Sequence, residues 1–227
     1  MKAFVVDLDS SKNQIMLKPI ARSFSNQAHQ INEAAEKIHE LIKNTPYSND
    51  NIVLNRNRIK KAFFSPFKPQ LKNAQVFLSH SHADKNKALG VKDYLENQTE
   101  RKVFIDLLFW DYKDDVLNKL ARYDDISDDI SKIKDAFTLI LRESLQDMIE
   151  KCPYFVFLQS KNSVSNQGLS QITYSAWIYE ELKIAHSISE SRPIPMMESM
   201  QVFHDISPFL ESFETIRLSE LSRIINS

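Results

Sequence analysis

From Gln75 onward, short continuous apolar runs alternate with stretches of helical periodicity. The runs are Val76-Phe77-Leu78, Val103-Phe104-Ile105, Tyr154-Phe155-Val156-Phe157-Leu158 and, more weakly, Ile194-Pro195-Met196-Met197. Runs of this length suit strands buried on both faces, hence a parallel sheet covered by helices. Ser81-His82-Ala83-Asp84 fits the [ST]-x-x-[DE] capping box, and Ala88, Val91 and Leu95 follow at core spacing, which predicts a helix over 82–97. Asp115–Arg122 and Ile133–Glu150 are further helical stretches, separated by the polar run Tyr123–Asp129. The fold class is α/β.

Residues 1–72 have a different texture. Ala3–Leu8 and Ile15–Leu17 flank the turn-forming run Asp9-Ser10-Ser11-Lys12-Asn13, which predicts a hairpin. Phe24, Ala28, Ile31, Ala35, Ile38 and Ile42 are spaced to form one helical stripe, either packing on the chain itself or pairing helices between copies. Between Arg56 and Lys72 stand six basic residues and no acid, interrupted by Pro66 and Pro69. This reads as a connector facing an acidic surface, with RNA or anionic lipid as the alternative. The expected organisation is an N-terminal extension over 1–72 followed by an α/β domain over 73–227.

Composition narrows the function. The 227 residues carry 29 Lys plus Arg and 30 Asp plus Glu, a net charge of −1, so there is no electrostatic footprint for nucleic acid. Only Gly90 and Gly168 are glycine. Neither G-x-G-x-x-G nor G-x-x-x-x-G-K-[ST] can therefore be written, which removes Walker-type and dinucleotide-fingerprint phosphate loops. A single cysteine, Cys152, forbids intrachain disulfides and multi-cysteine zinc sites, in keeping with a reducing compartment. Met1–Asp7 meets an acid before a signal-peptide core of ~7–15 residues is reached, and no apolar run approaches the ~18 residues of a membrane span. The expectation is a cytoplasmic chain with no membrane partner. Asp106 to Asp129 holds eight Asp against Lys113, Lys119 and Arg122; without Gly or the spacing of a calcium loop it reads as a solvated insertion rather than a metal site.

Ligands of open α/β sheets bind outside the carboxyl ends of the strands, at a switch in strand order. The first run is followed there by Ser79, His80 and Ser81, the second by Asp106 and Trp110, and the third by Gln159–Ser163 and a polar loop leading to Trp177. Each has a plainer role open to it: a capping serine, a loop histidine, an aspartate bonding loop amides, a tryptophan plugging the core. The helix starting near Ser175 is more informative. At ~100° per residue from Trp177, Glu181 falls at about 40°, inside the arc of Ile178, Leu182, Ile184, Ala185 and Ile188, whereas Glu180 falls at about 300°, beside Lys183 and Ser187. A carboxylate on a buried stripe costs free energy unless it is paired or useful, which makes Glu181 a candidate functional group; a Glu bonding loop amides is the structural alternative.

These residues resemble a Toll/interleukin-1 receptor (TIR) domain. Gln75–Lys85, with its Ser79-His80-Ser81-His82-Ala83-Asp84 loop, is similar to the family's opening box, and Lys102–Asp106 to the second-strand box that leads into the BB loop. Phe155–Ser160 followed by Ser175–Leu182 is similar to its third strand and S-x-W-x-x-x-E-L pattern. The likeness spans about 73–227. It departs from the family where Asp114 stands near the usual BB-loop Gly, in the length of 118–150 and in the extended loop 161–174; residues 1–72 carry no likeness.

The resemblance implies a flavodoxin-like TIR fold and cleavage of NAD at the nicotinamide–ribose bond, as NAD glycohydrolase or ADP-ribosyl cyclase, an activity widespread among bacterial TIR proteins including those of antiphage defence. Glu181 would be the catalytic glutamate, and Ser79, His80, Ser81, Asp106, Trp110 and Trp177 would line the substrate, with no metal and no cofactor beyond NAD as substrate. It also implies self-association through TIR domains and a downstream effector that senses a nucleotide product. The rival is a non-catalytic TIR interaction module; a nucleoside-deoxyribosyltransferase-like enzyme is a third reading, disfavoured by the S-x-W-x-x-x-E pattern.

Overall fold

A computed structural model describes residues 1–17, 27–44, 47–48, 51–52, 56–64, 73–105, 115–123, 130–167, 170–189 and 204–227. Along the chain run β1 (Lys2–Asp7), α1 (Ser11–Gln14), α2 (Gln27–Lys43), β2 (Tyr47–Ser48), β3 (Asn51–Ile52), α3 (Arg56–Phe64) and β4 (Ala74–Ser79). A 3-10 turn (His82–Asp84) then leads into α4 (Lys85–Thr99) and β5 (Lys102–Ile105), and after a helical segment over 115–120 comes α5 (Ile130–Lys151). The remainder is β6 (Tyr154–Gln159), β7 (Ser165–Gln167), β8 (Ser170–Thr173), α6 (Ala176–Ser189), β9 (His204–Asp205), α7 (Ser207–Ser212), β10 (Glu214–Thr215) and α8 (Leu218–Asn226).

The central sheet has five strands in the order β10-β1-β6-β4-β5, parallel at every pairing and flanked by helices. The apolar runs lie where continuous burial places them. Phe104, Phe77 and Phe155 stand in register on neighbouring strands, with ring centroids 5.5 and 5.7 Å apart, and Phe213 meets Phe155 edge-on at 5.8 Å. Such contacts add to the burial of each ring and fix the face on which these strands pack. Counted from β4, the run β5-β4-β6 has the 2-1-3 order of a flavodoxin-like sheet. The next place belongs to β1, from the other end of the chain; Ile194–Met197, read above as a strand, lies outside the described residues.

The N-terminal hairpin is therefore not formed. Ala3–Leu8 is extended as expected, but it pairs parallel with β6 from Lys2↔Tyr154 to Asp7↔Gln159 and on its other side with β10. The turn-rich run after it winds into α1 instead of reversing, and Ile15–Leu17 continues as a turn with Ile15 84% exposed. The reason lies in Asn13. Buried, it donates from Nδ2 to the Asp7 carbonyl at 2.7 Å and accepts the Leu218 N–H at 3.1 Å, holding the chain against the end of β1.

The boundary at 72/73 moves accordingly. One compact unit comprises Met1–Ala21, Asn73–Leu107 and Leu145–Ser227, the other Arg22–Lys72 and Leu108–Ser144. In the second unit α2 packs on α3. Ala35, Ile38 and Ile42 of the predicted stripe are buried, as are Ile59 and Ala62 of α3, so this part of the stripe is covered within the chain. Phe24 lies outside the described residues. The expected connector is helical over Arg56–Phe64, and His39 stacks on Tyr123 with centroids 3.8 Å apart. No helix among the described residues is long and apolar enough to cross a membrane.

Candidate functional site

Because every strand of the sheet is parallel, Asp7, Ser79, Ile105, Gln159 and Thr215 all end at one edge. From β4 the chain proceeds to β5 on one side, and from β6 it proceeds through α6 to β10 on the other. The switch in direction thus falls between β4 and β6, where a ligand crevice is expected.

Ser79 and His80 are buried at this switch, 0% and 4% exposed, and Ser81 is half-buried. Ser79 Oγ has no hydrogen-bond partner among the described residues. The capping box does not form. Ser81 precedes the 3-10 turn without a side-chain cap, and only its carbonyl is used, accepting the Asp84 N–H at 2.8 Å. The Asp84 carboxylate turns instead to the loop after β6: Oδ2 accepts the Ser160 hydroxyl, and Oδ1 accepts Asn162 Nδ2 at 2.9 Å and lies 3.9 Å from Lys87 Nζ. Lys87 Nζ reaches Asp9 Oδ1 at 2.9 Å, and Asp9 Oδ2 accepts the Lys161 N–H at 2.9 Å. Two aspartates and a lysine thereby join the loops after β1, β4 and β6.

On the far side of the sheet order, Ser175 starts α6. Its Oγ accepts the Ile178 N–H at 3.3 Å and its carbonyl accepts the Tyr179 N–H, the bonds of an N-cap serine. That start sets the helical phase. Ile178, Leu182, Ile184 and Ala185 are buried, and Glu181 among them is 0% exposed, while Glu180 and Trp177 are half-buried. The helix packs on β1, β8 and α7, and His186 Nδ1 pairs with Ser212 Oγ at 2.9 Å. Burying a carboxylate costs several kcal/mol unless its surroundings compensate, and Glu181 is the fully buried acid of this helix.

The sequence-derived candidates thus fall into two groups, Ser79 at the end of β4 with His80 and Ser81 directly after it, and Trp177 with Glu181 one turn apart on α6. Asp106 and Trp110 lie outside the described residues, as do Asp114 and 124–129. No group of three or more His, Cys, Asp or Glu suited to a metal is present among the described residues. From the sequence, Asp84 has the spacing of a helix cap and a place in the loop after the first apolar run, Asp9 belongs to the predicted turn, and Lys87 has no assigned role. The pointer to Asp84 was its place after a parallel strand, opposite the Ser160-Lys161-Asn162-Ser163 run that follows the neighbouring strand. No protein-family model, curated protein or solved structure matches the chain.

Proposed function

We propose that the chain is a TIR-like enzyme that cleaves NAD at the nicotinamide–ribose bond, with Glu181 as the catalytic carboxylate. The observation that carries this reading is the complete burial of Glu181 on a helix whose phase is set by Ser175, one turn from Trp177 in a Ser175-x-Trp177-x-x-x-Glu181-Leu182 pattern. Departure of nicotinamide leaves oxocarbenium character on the ribose, and a carboxylate in a water-poor setting stabilises that charge and holds the ribose hydroxyls. Nicotinamide leaves as a neutral base, so no strong general acid is required. Capture of the ribosyl cation by water, with loss of a proton, yields ADP-ribose; capture by an adenine nitrogen of the same molecule yields a cyclic product suited to signalling to a downstream effector. Ser79, His80 and Ser81 would hold the nucleotide from the loop after β4, and Trp177 would stack on a flat ring. The same reading places the protein in the cytoplasm, in antiphage signalling or NAD depletion, and has it self-associate.

Incubation of the intact chain with NAD, followed by chromatography, tests the reading. Free nicotinamide in equal amount with ADP-ribose or a cyclic isomer is the expected result. Intact NAD at micromolar enzyme and after concentration of the protein would leave the interaction-module reading in its place.

A further inference from the structure

We propose that Asp84 is a positioning residue, clasping the loop after β4 to the turn after β6 so that the substrate meets Ser79, His80 and Ser81 in one preformed arrangement; this rests on the NAD-cleaving reading above. The two segments lie on either side of the switch point, β4 and β6 being adjacent and in register up to Ser79↔Phe157. Asp84 stands five residues beyond Ser79, with its side chain 1% exposed. It accepts the Ser160 hydroxyl and Asn162 Nδ2, both from the opposite lip.

Ser160 is itself organised by its own turn. Its Oγ accepts the N–H groups of Asn162 at 3.0 Å and Ser163 at 3.3 Å, and the Ser160 N–H donates to Ser163 Oγ at 2.8 Å. The hydroxyl proton of Ser160 is therefore directed to Asp84, and the carboxylate closes a network in which the turn is already satisfied. Charge balance comes from Lys87, shared with Asp9. The network makes no use of Ser79 Oγ, which is buried at the end of β4 without a hydrogen-bond partner among the described residues. Loops that carry binding groups lose affinity when they must be ordered on binding, and a buried carboxylate spanning both lips removes that cost before the substrate arrives.

The role predicts a split between kinetic constants. Glu181 sits on a separate helix, so loosening the β4 loop weakens substrate binding more than it slows bond cleavage. In the intact chain, Asp84→Asn and Asn162→Ala should each raise KM for NAD by about ten-fold while kcat stays within about three-fold, and the double variant should be no worse than Asp84→Asn alone. A purely structural Asp84 would lower the folded fraction, reducing kcat and leaving KM unmoved, and that result overturns the proposal. Hydrogen exchange supplies a readout free of catalysis. Either variant should raise exchange at both 79–84 and 160–163, and a rise confined to the substituted segment likewise overturns it. Should the wild-type chain leave NAD intact, the catalytic reading fails, and the exchange result alone decides whether the clasp exists.

Discussion

The side-chain oxygen of Asn13 accepts the backbone N–H of Leu218 at 3.1 Å, joining residues 205 positions apart. Leu218 opens α8, so its N–H is one of the helix donors with no partner inside the helix, and Asn13 supplies one. The same side chain holds the Asp7 carbonyl at the end of β1. Asn13→Ala leaves both groups without that partner and should lower stability by about 1–3 kcal/mol, seen as a lower urea midpoint at unchanged slope.

Loss of the whole segment is more severe. Without residues 1–21 the sheet lacks β1, and β6 and β10 are left without their shared neighbour. The truncated chain should be recovered aggregated, or with far-UV but no near-UV dichroism and with dye-binding apolar surface. A truncated protein with native near-UV dichroism would show that β1 is dispensable.

Glu181→Ala and Glu181→Gln should abolish NAD cleavage with the far-UV spectrum preserved, and Glu180→Ala should retain activity within a few-fold. The two acids are adjacent in sequence and differ in burial, 0% for Glu181 against half-buried for Glu180. Full activity in Glu181→Gln, or equal loss in Glu180→Ala, would remove the assignment.

Patterns that depend on local periodicity were readable from the chain. Continuous burial at Val76–Leu78, Val103–Ile105 and Phe155–Leu158 marks parallel strands because both faces are covered, and the phase of Glu181 follows from 100° per residue and an N-cap at Ser175. What local patterns lack is partner choice. Ala3–Leu8 is extended whether it pairs with Ile15–Leu17 or with Tyr154–Gln159, and the choice rests on Asn13 reaching Leu218, a contact without a local signature. Asp84 has the spacing of a capping residue, yet a buried carboxylate within reach of Ser160 and Asn162 gains more by bonding across the sheet edge than along its own turn.

Ile38 tests whether the α2 stripe serves packing or assembly. It is fully buried within the single chain, so Ile38→Ala should destabilise by about 2–5 kcal/mol through transfer and cavity costs. The mass from light scattering should be unchanged wherever the protein remains folded. Dissociation of an oligomer at unchanged stability would return the stripe to an intermolecular role.

Asp9 gives the acid side of stability a local contribution. The Lys161 backbone N–H first, then the Lys87 ammonium, hold its carboxyl below the ordinary value of 3.8. A group whose pKa is lower when folded stabilises the protein above its unfolded pKa and loses that contribution as pH falls through the folded one. Asp9 and Lys87 are 36% and 37% exposed, so solvent screening limits the contribution to about 0.2–1 kcal/mol. Asp9→Asn should therefore be less stable than wild type by a constant amount above roughly pH 5, with the gap closing below pH ~4 and shrinking in high salt. A gap that widens on acidification would contradict the arrangement.

Cys152 offers a probe of the strand pair that makes the switch point. The thiol is 1% exposed, burial pushes its pKa up to about 12, and Sγ donates to the Ala74 carbonyl at 3.7 Å. Cys152 lies just before β6 and Ala74 begins β4, so the contact spans the amino ends of the same two strands whose carboxyl ends Asp84 clasps. The thiolate is the attacking species, and a neutral, enclosed thiol should react with an aromatic disulfide at pH 8 more slowly than the unfolded chain by about a thousand-fold or more. As this is the sole cysteine, each labelling event reports an opening around the amino ends of β4 and β6. Asp84→Asn should leave the labelling rate close to wild type, because the clasp secures loops at the opposite edge and not the strands. Labelling that accelerates in step with loop exchange in Asp84→Asn would instead show the two strands parting along their length.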